Sequence, residues 1–300
     1  MEHFKYKNKY VGIITEKLCN LFRILKRGIR MFENLKKSFI MKLLLCMIIL
    51  WVILALVFGF TDLEISKSVV NENSVWGIFG REYGEAPGYG LIAIALSALI
   101  GSYNDNLRKQ KIPAYVIIAI GIIILVLGLI FSILALIADG VSIFICVLIF
   151  LVITFNKDWK NYRKISAVVI ILVVLNSLLF VQITKVLTGR IRFNDLVAPT
   201  FNDYTPWFLP PGPLSGGDSF PSGHTSISFM FLPLLILLKE RKLKDPIRIL
   251  ITVLILGWAI FVGLSRVIIG DHYASDVLFS AMMATVITIV LYQKLYIKTT

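Results

Sequence analysis

Charge is scarce in this chain: Asp, Glu, Lys and Arg make up 16% of its 300 residues, whereas 57% are hydrophobic and the mean hydropathy is +0.82. One soluble core of that length does not bury so much apolar surface, which argues against a purely soluble fold and for burial in a bilayer. Cysteine is scarce too. Cys19, Cys46 and Cys146 lie in apolar or amphipathic surroundings without metal-ligand spacing, so neither a disulfide nor a zinc site is expected. No cleavable signal sequence is expected either, because the first long apolar run begins near residue 41, well beyond a usual n-region. The deficit of acids leaves a formal charge of +13. That value suggests nucleic acid at first sight, but the cations sit in short segments between apolar runs and in the first forty or so positions. Such a distribution belongs to membrane topology, so the expected partner is the lipid bilayer and no nucleic acid.

What is present is a series of uncharged runs, of which residues 43–60 are the clearest. About 20 apolar residues cross the hydrocarbon of a bilayer. Candidate spans run near 41–60, 88–103, 113–138, 140–155, 165–184, 222–238, 248–265 and 275–293, which predicts an all-α polytopic transmembrane bundle of about eight spans. The pair Asp139-Gly140 is taken as the break between the third and fourth spans, with a kink in one long re-entrant element as the alternative.

Lys and Arg decide the orientation, because cytoplasmic loops collect them. Arg108, Lys109 and Lys111 follow the second span, Lys157, Lys160, Arg163 and Lys164 the fourth, and Lys239, Arg241, Lys242 and Lys244 the sixth. The loop after the first span carries instead Asp62, Glu64, Glu72, Glu82 and Glu85 against Lys67 and Arg81. Both termini are then expected in the cytoplasm of a multi-pass cell-membrane protein. Before the first span, Ile14, Leu18, Leu21, Leu25, Ile29 and Phe32 recur at helical spacing with Lys17, Lys26, Arg27 and Arg30 on other faces. Residues 1–40 thus read as a basic amphipathic segment on the anionic inner leaflet, or alternatively as a partner-binding or poorly ordered tail.

Three polar clusters interrupt the apolar pattern, all on the side the charge rule assigns to the outside. The first holds Lys185, Arg190 and Arg192, three cations on a translocated side, which call for a counter-ion. Lys185 and Arg192 are seven residues apart, and a continuing helix would aim both along one face to grip a phosphate; snorkelling at a span end is the competing explanation. The second cluster, Gly216-Gly217-Asp218-Ser219-Phe220-Pro221-Ser222-Gly223-His224-Thr225, leads into the sixth span, where free N–H groups at a helix start favour an anion, Gly223 permits close approach, and Ser222 can cap the helix or donate to a ligand. A capped helix start after a Pro/Gly-rich loop explains all of this except His224, which could protonate a leaving oxygen. The third is Ser265-Arg266 with Asp271, His272 and Asp276. His272 and Asp276 at i, i+4 would share a helix face, the carboxylate fixing the imidazole tautomer and leaving the other nitrogen free to attack, with Arg266 beside the oxyanion. A helix cap with interfacial polar residues is the alternative for this segment alone. Together, two histidines, an orienting Asp and several cations describe phosphoryl transfer.

These segments resemble the three-part signature of the type 2 phosphatidic acid phosphatase superfamily: Lys, six residues, Arg-Pro; Pro-Ser-Gly-His; and Ser-Arg, five residues, His, three residues, Asp. Lys185 and Arg192, residues 221–224, and Ser265, Arg266, His272 and Asp276 match it, while Phe193 stands where the family has Pro. The resemblance covers roughly residues 165–293. It implies a metal- and cofactor-independent membrane phosphatase acting on a lipid phosphomonoester or diphosphate at the extracytoplasmic face. In it His272 attacks phosphorus with Asp276 behind it, His224 protonates the leaving group, and Lys185, Arg192, Ser222, Gly223 and Arg266 bind the phosphoryl oxygens before water hydrolyses the phosphohistidine. Arg190 is a possible accessory or a headgroup-interface residue. Phe193 is expected to alter loop geometry or substrate fit rather than abolish activity. The implied plan is a six-helix phosphatase core over residues 161–300, preceded by extra spans over 41–160 without an assigned role. A lipid phosphotransferase, a vanadate-dependent haloperoxidase and a catalytically inactive lipid transporter or scaffold are the alternatives.

Two further readings concern packing. Asn176 and Gln182 in the fifth span are expected to make interhelical hydrogen bonds. The aromatic, Pro-rich loop 201–213, with Trp207 and Phe208, is read either as lying on the bilayer and guiding an acyl or prenyl chain or as an ordinary interfacial anchor.

Overall fold

The structure is a computed structural model describing residues 40–297; the amphipathic segment expected over the first forty residues, with His3 and Cys19, lies outside them except for Ile40. The described residues are mostly helical, with no strand among them. In chain order the helices are α1 (Ile40–Val69), α2 (Val75–Tyr83), α3 (Ala86–Gly101), α4 (Ile112–Phe131), α5 (Leu134–Thr154), α6 (Arg163–Leu172), α7 (Gln182–Thr188), α8 (Gly223–Ser228), α9 (Pro246–Ile268) and α10 (Ala274–Tyr296). A π-helical stretch, Val173–Val181, joins α6 to α7, and a 3-10 stretch, Phe229–Leu238, continues α8. Among the described residues, seven helical units are long and apolar enough to cross a membrane, α2–α3 counting as one and α6–α7 as part of another. Ile49, Ile53, Ile123, Phe131, Val152 and Leu254 point outward from these helices, as lipid-facing side chains do.

The eighth expected span is a shorter element, Gly223–Leu238, of 16 residues. Its second part is 3-10 helix around Pro233, which lacks the N–H of an α-helical bond. The steeper 3-10 rise stretches the whole element to about 29 Å, close to the thickness of the hydrocarbon. The break expected at Asp139-Gly140 is not there. Left-handed Ser132 (φ 55°) closes α4 instead, and both residues lie inside α5. Gly140 serves packing: a Cβ on it would stand 2.4 Å from the Leu125 nitrogen, so its absence lets α4 and α5 approach closely.

The acidic segment placed after the first span is likewise mostly helical. α1 continues to Val69, and its buried face is Ala55, Gly59, Asp62 and Ser66, a stripe of small residues with one carboxylate. In the fifth span Asn176 donates to Ser226 Oγ (2.8 Å) and to the Ser280 carbonyl (3.4 Å), and Ser177 shares a hydrogen bond with Ser226 (2.7 Å). Gln182 is exposed and not part of this contact. Met230, Leu172, Ile255 and Ala284 form the apolar core around which α6, α8, α9 and α10 pack.

The three basic loops gather at one end of the bundle. Lys111 donates to the Lys157 carbonyl (2.7 Å), Lys160 pairs with Asp105, and Lys164 and Lys239 both lie over the Tyr296 ring at 5.3 Å. The start of α10 and the end of α9 stand at the opposite end, and there the polar clusters meet.

Candidate active site

The first cluster is shaped by a helix stop. α7 ends at Thr188, Gly189 adopts a left-handed conformation (φ 57°), and a Cβ on it would lie 2.1 Å from the Gly212 carbonyl oxygen. The continuing helix expected to carry Lys185 and Arg192 on one face therefore does not form. The two cations converge nonetheless, through the turn, on Asp218. Arg192 donates to it bidentately, Nε–Oδ1 and Nη2–Oδ2 both at 2.8 Å, and Lys185 Nζ stands 3.6 Å from Oδ2. Arg192 has an extended backbone (ψ 155°) of the kind a following proline would also require, and Phe193 stacks its ring on Phe201 at 5.5 Å.

In the second cluster Ser222 is the N-cap of α8, its Oγ accepting from Thr225 N (3.4 Å) and Thr225 Oγ1 (3.0 Å). Ser280 Oγ donates to the Ser222 carbonyl (2.7 Å), which ties the loop to α10. A Cβ on Gly223 would meet nothing within 4 Å, so the space beside it is open. His224 has Glu85 Oε1 3.3 Å from Nδ1 and the Arg81 carbonyl oxygen 3.1 Å from Nε2.

The third cluster follows α9. Gly270 (φ 75°) turns the chain where the Asn194 side chain leaves no room for a Cβ, and Asn194 donates to the Ile269 carbonyl (2.6 Å). His272 thus lies in the turn before α10, not on a helix face with Asp276, as the i, i+4 spacing had suggested. Asp276 sits in the first turn of α10 and closes a capping box by accepting from Tyr273 N (2.9 Å). Its Oδ2 is 3.6 Å from His272 Nδ1, while the Ser219 carbonyl is nearer at 2.6 Å. The imidazole hydrogen on Nδ1 therefore goes first to a backbone oxygen, with the carboxylate behind as counter-charge. Both neighbours accept, which fixes the tautomer that leaves Nε2 with its lone pair.

Arg190 is no headgroup residue: its side chain is 1% exposed and forms the centre of a buried network. Nη1 donates to Asp276 Oδ1 (2.6 Å) and Ser275 Oγ (2.8 Å), Nη2 to Asp62 Oδ2 (3.0 Å) and Nε to the Thr205 carbonyl (2.9 Å). Its guanidinium also lies 4.0 Å from the Tyr273 ring centroid. Ser219 Oγ donates to Asp276 Oδ2 (2.5 Å) and Ser275 N to Asp62 Oδ1 (3.0 Å). A first-span carboxylate and the His272 carboxylate thus share one cation. Trp207 belongs to the same packing. It donates to the Ala55 carbonyl of α1 (2.8 Å) and packs on Phe279 at 4.7 Å, turned inward rather than laid on the bilayer.

Arg266 is 3% exposed, and only its Nη2 has a partner, Asp271. Its Nε and Nη1 are buried donors without an acceptor, a state that costs energy unless an anion completes it. Lys185 and Arg266 act electrostatically on both imidazoles, and the two rings act on each other. Burial, aided by Arg266 and Lys185, holds His272 below the ordinary histidine range against the pull of Asp276. Burial raises Asp218, but Arg192 and Lys185 more than offset that and hold its carboxyl below the usual range. Burial pushes the Tyr273 phenol up.

The structure therefore brings Lys185, Arg192, Ser222, His224, Arg266, His272 and Asp276 to one end of the bundle, and adds five residues to which the sequence assigned no part in the site: Asp62 and Glu85, counted only among the acids of the first loop, and Asp218, Ser219 and Asp271, which lie inside the polar clusters. Asp62 had a signal, a carboxylate at the end of an apolar run with three cations needing counter-charge elsewhere. Asp218, Ser219 and Asp271 had a signal in their place inside the polar clusters, whereas Glu85 had none, since it acts through a contact made across the bundle.

The sequence matches the PAP2 superfamily model over residues 166–299. No curated protein and no solved structure matches the chain. The family is one of phosphatases acting on phosphate esters, and the seven apolar helices make this a multi-pass membrane protein.

Proposed function

With residues 166–299 a PAP2 superfamily segment, we propose that this protein is a lipid phosphatase that works through a phosphohistidine on His272, at the extracytoplasmic face of the membrane. The observation that carries the reading is Arg266, buried with two unpaired guanidinium nitrogens, its carbonyl accepting from His272 N (3.2 Å) and its charge reaching the His272 ring, whose Nδ1 is held by the Ser219 carbonyl. In this reading Arg266 binds one oxygen edge of a tetrahedral dianion and Lys185 and Arg192 the others, as the phosphate displaces Asp218. His272 Nε2 attacks phosphorus, the bond to the leaving oxygen breaks with its electron pair, and His224 supplies that oxygen with a proton. Asp276 stabilises the positive charge that grows on the ring. Water then attacks the phosphohistidine, with His224 as base, and releases inorganic phosphate.

The collection of Lys and Arg at the far end supports the outward-facing site, and a site at helix ends admits a lipid sideways from the bilayer. Purified protein in detergent should release inorganic phosphate from phosphatidic acid in the presence of a metal chelator, and His272→Ala should abolish release. Activity retained by that variant would refute the assignment.

A further inference from the structure

Each group given a role in the reaction lies between residues 185 and 276. Glu85 does not. It stands at the junction of α2 and α3, outside the matched family segment, and reaches across to the second histidine. Its Oε1 lies 3.3 Å from His224 Nδ1, with the two side chains 22% and 24% exposed, and its Oε2 accepts from Tyr89 Oη at 3.5 Å. The charges of Arg266 and Lys185 reach Glu85 as well, so it borders the same cationic pocket.

We propose that Glu85 is a positioning residue that fixes the tautomer of His224 and supplies the second proton its acid–base cycle needs. The proposal rests on the reading of His224 as the acid. The other ring nitrogen faces the Arg81 carbonyl, which can only accept, so Nε2 carries a hydrogen. Nδ1 then shares one proton with Glu85: either a carboxyl O–H donates to Nδ1, or an imidazolium N–H donates to the carboxylate. In both forms Nε2–H is the donor turned from Arg81 toward the leaving oxygen. When the P–O bond breaks and that oxygen takes the Nε2 proton, the shared proton settles on Nδ1. The ring is left neutral and Glu85 ionised. In the second half, Nε2 takes a proton from the attacking water and the pair returns to its starting form, so protons balance over one turnover. Holding the ring by its far nitrogen is the same device that Ser219 and Asp276 provide for His272.

The test compares leaving groups. A nitrophenolate leaves without protonation, whereas the alkoxide of phosphatidic acid needs it. Glu85→Gln keeps the shape but has no proton to pass on, and should lower kcat on phosphatidic acid roughly ten- to a hundredfold. The loss on p-nitrophenyl phosphate should be smaller by about a factor of ten, the share that proton donation contributes. Glu85→Asp, with the carboxyl one methylene short, should fall between wild type and Glu85→Gln on the lipid. A merely structural role predicts equal losses on both esters, and that result, or no loss on either, would overturn the proposal. His224→Asn separates the two layers of the argument. If it shows no dependence on leaving group, the acid assignment itself fails and the proposal with it; if it shows the dependence and Glu85→Gln does not, only the role of Glu85 is lost.

Discussion

Asp62→Asn tests whether the first helix is part of the catalytic apparatus. Asp62 is fully buried and accepts from Arg190 Nη2, Ser275 N and Ser275 Oγ. Asn keeps a carbonyl oxygen for Ser275 N, and the Ser275 hydroxyl can turn to accept from the new amide. Arg190 has no such remedy, because its Nη2 then faces an amide N–H₂. One charge-assisted bond, worth about 1.5–3 kcal/mol, is lost and a buried donor is left open. Breaking a buried pair outright costs about 3–5 kcal/mol, but here Arg190 keeps Asp276 and the repulsion between Asp62 and Asp276 is relieved, so about 3 kcal/mol is expected. At roughly 2–4 °C per kcal/mol for a chain of this size, Tm in detergent should fall by roughly 6–12 °C. The exposed Glu64→Gln, from a surface pair with Lys67, should stay within about 0.5 kcal/mol of wild type. The activity readout is more specific. Arg190, released by Asp62, pulls harder on Asp276 and draws it from His272, so kcat should fall more than KM rises. A variant that melts and turns over like wild type would show that the buried triad is neither stabilising nor coupled to the dyad.

Two further outcomes follow from the electrostatics of the pocket. Asp218→Asn removes the carboxylate that occupies the Lys185–Arg192 cradle; since that carboxylate is half exposed, the gain for inorganic phosphate as a competitive inhibitor should be modest, roughly two- to fivefold in Ki, and an unchanged or weaker Ki would refute the competition. His272 is held below the ordinary histidine value, so protonation removes its lone pair only at lower pH than for a free imidazole, and the acidic limb of kcat/KM should lie below about pH 6.5; a midpoint at or above that value would contradict the burial argument.

Much of this protein is legible along the chain because its physics is local. Long uncharged runs are incompatible with water, so the all-helical membrane bundle follows from composition, and the charged loops between runs are found by eye. The spacing of Lys185 and Arg192, residues 221–224, and Arg266, His272 and Asp276 marks phosphate chemistry for the same reason: residue type limits what each can do. Their geometry was less accessible. The i, i+4 argument for His272 and Asp276 assumed a helix that begins two residues too late, and the two-turn argument for Lys185 and Arg192 assumed one that stops at Gly189. The break at Ser132 instead of Asp139-Gly140 reflects packing of α4 on α5, which no single-helix pattern records.

By itself the sequence determined the membrane class, the separation of the basic loops from the polar clusters and the residue types that can handle a phosphate, since hydropathy and side-chain chemistry need no partner. Only the tertiary structure decided that Arg190 is a buried strut between Asp62 and Asp276, that Ser219 holds His272, and that Glu85 meets His224. Those contacts join residues from 53 to 139 positions apart. A hydrogen bond or buried ion pair depends on distance and orientation in space, which the order of residues along a chain does not contain.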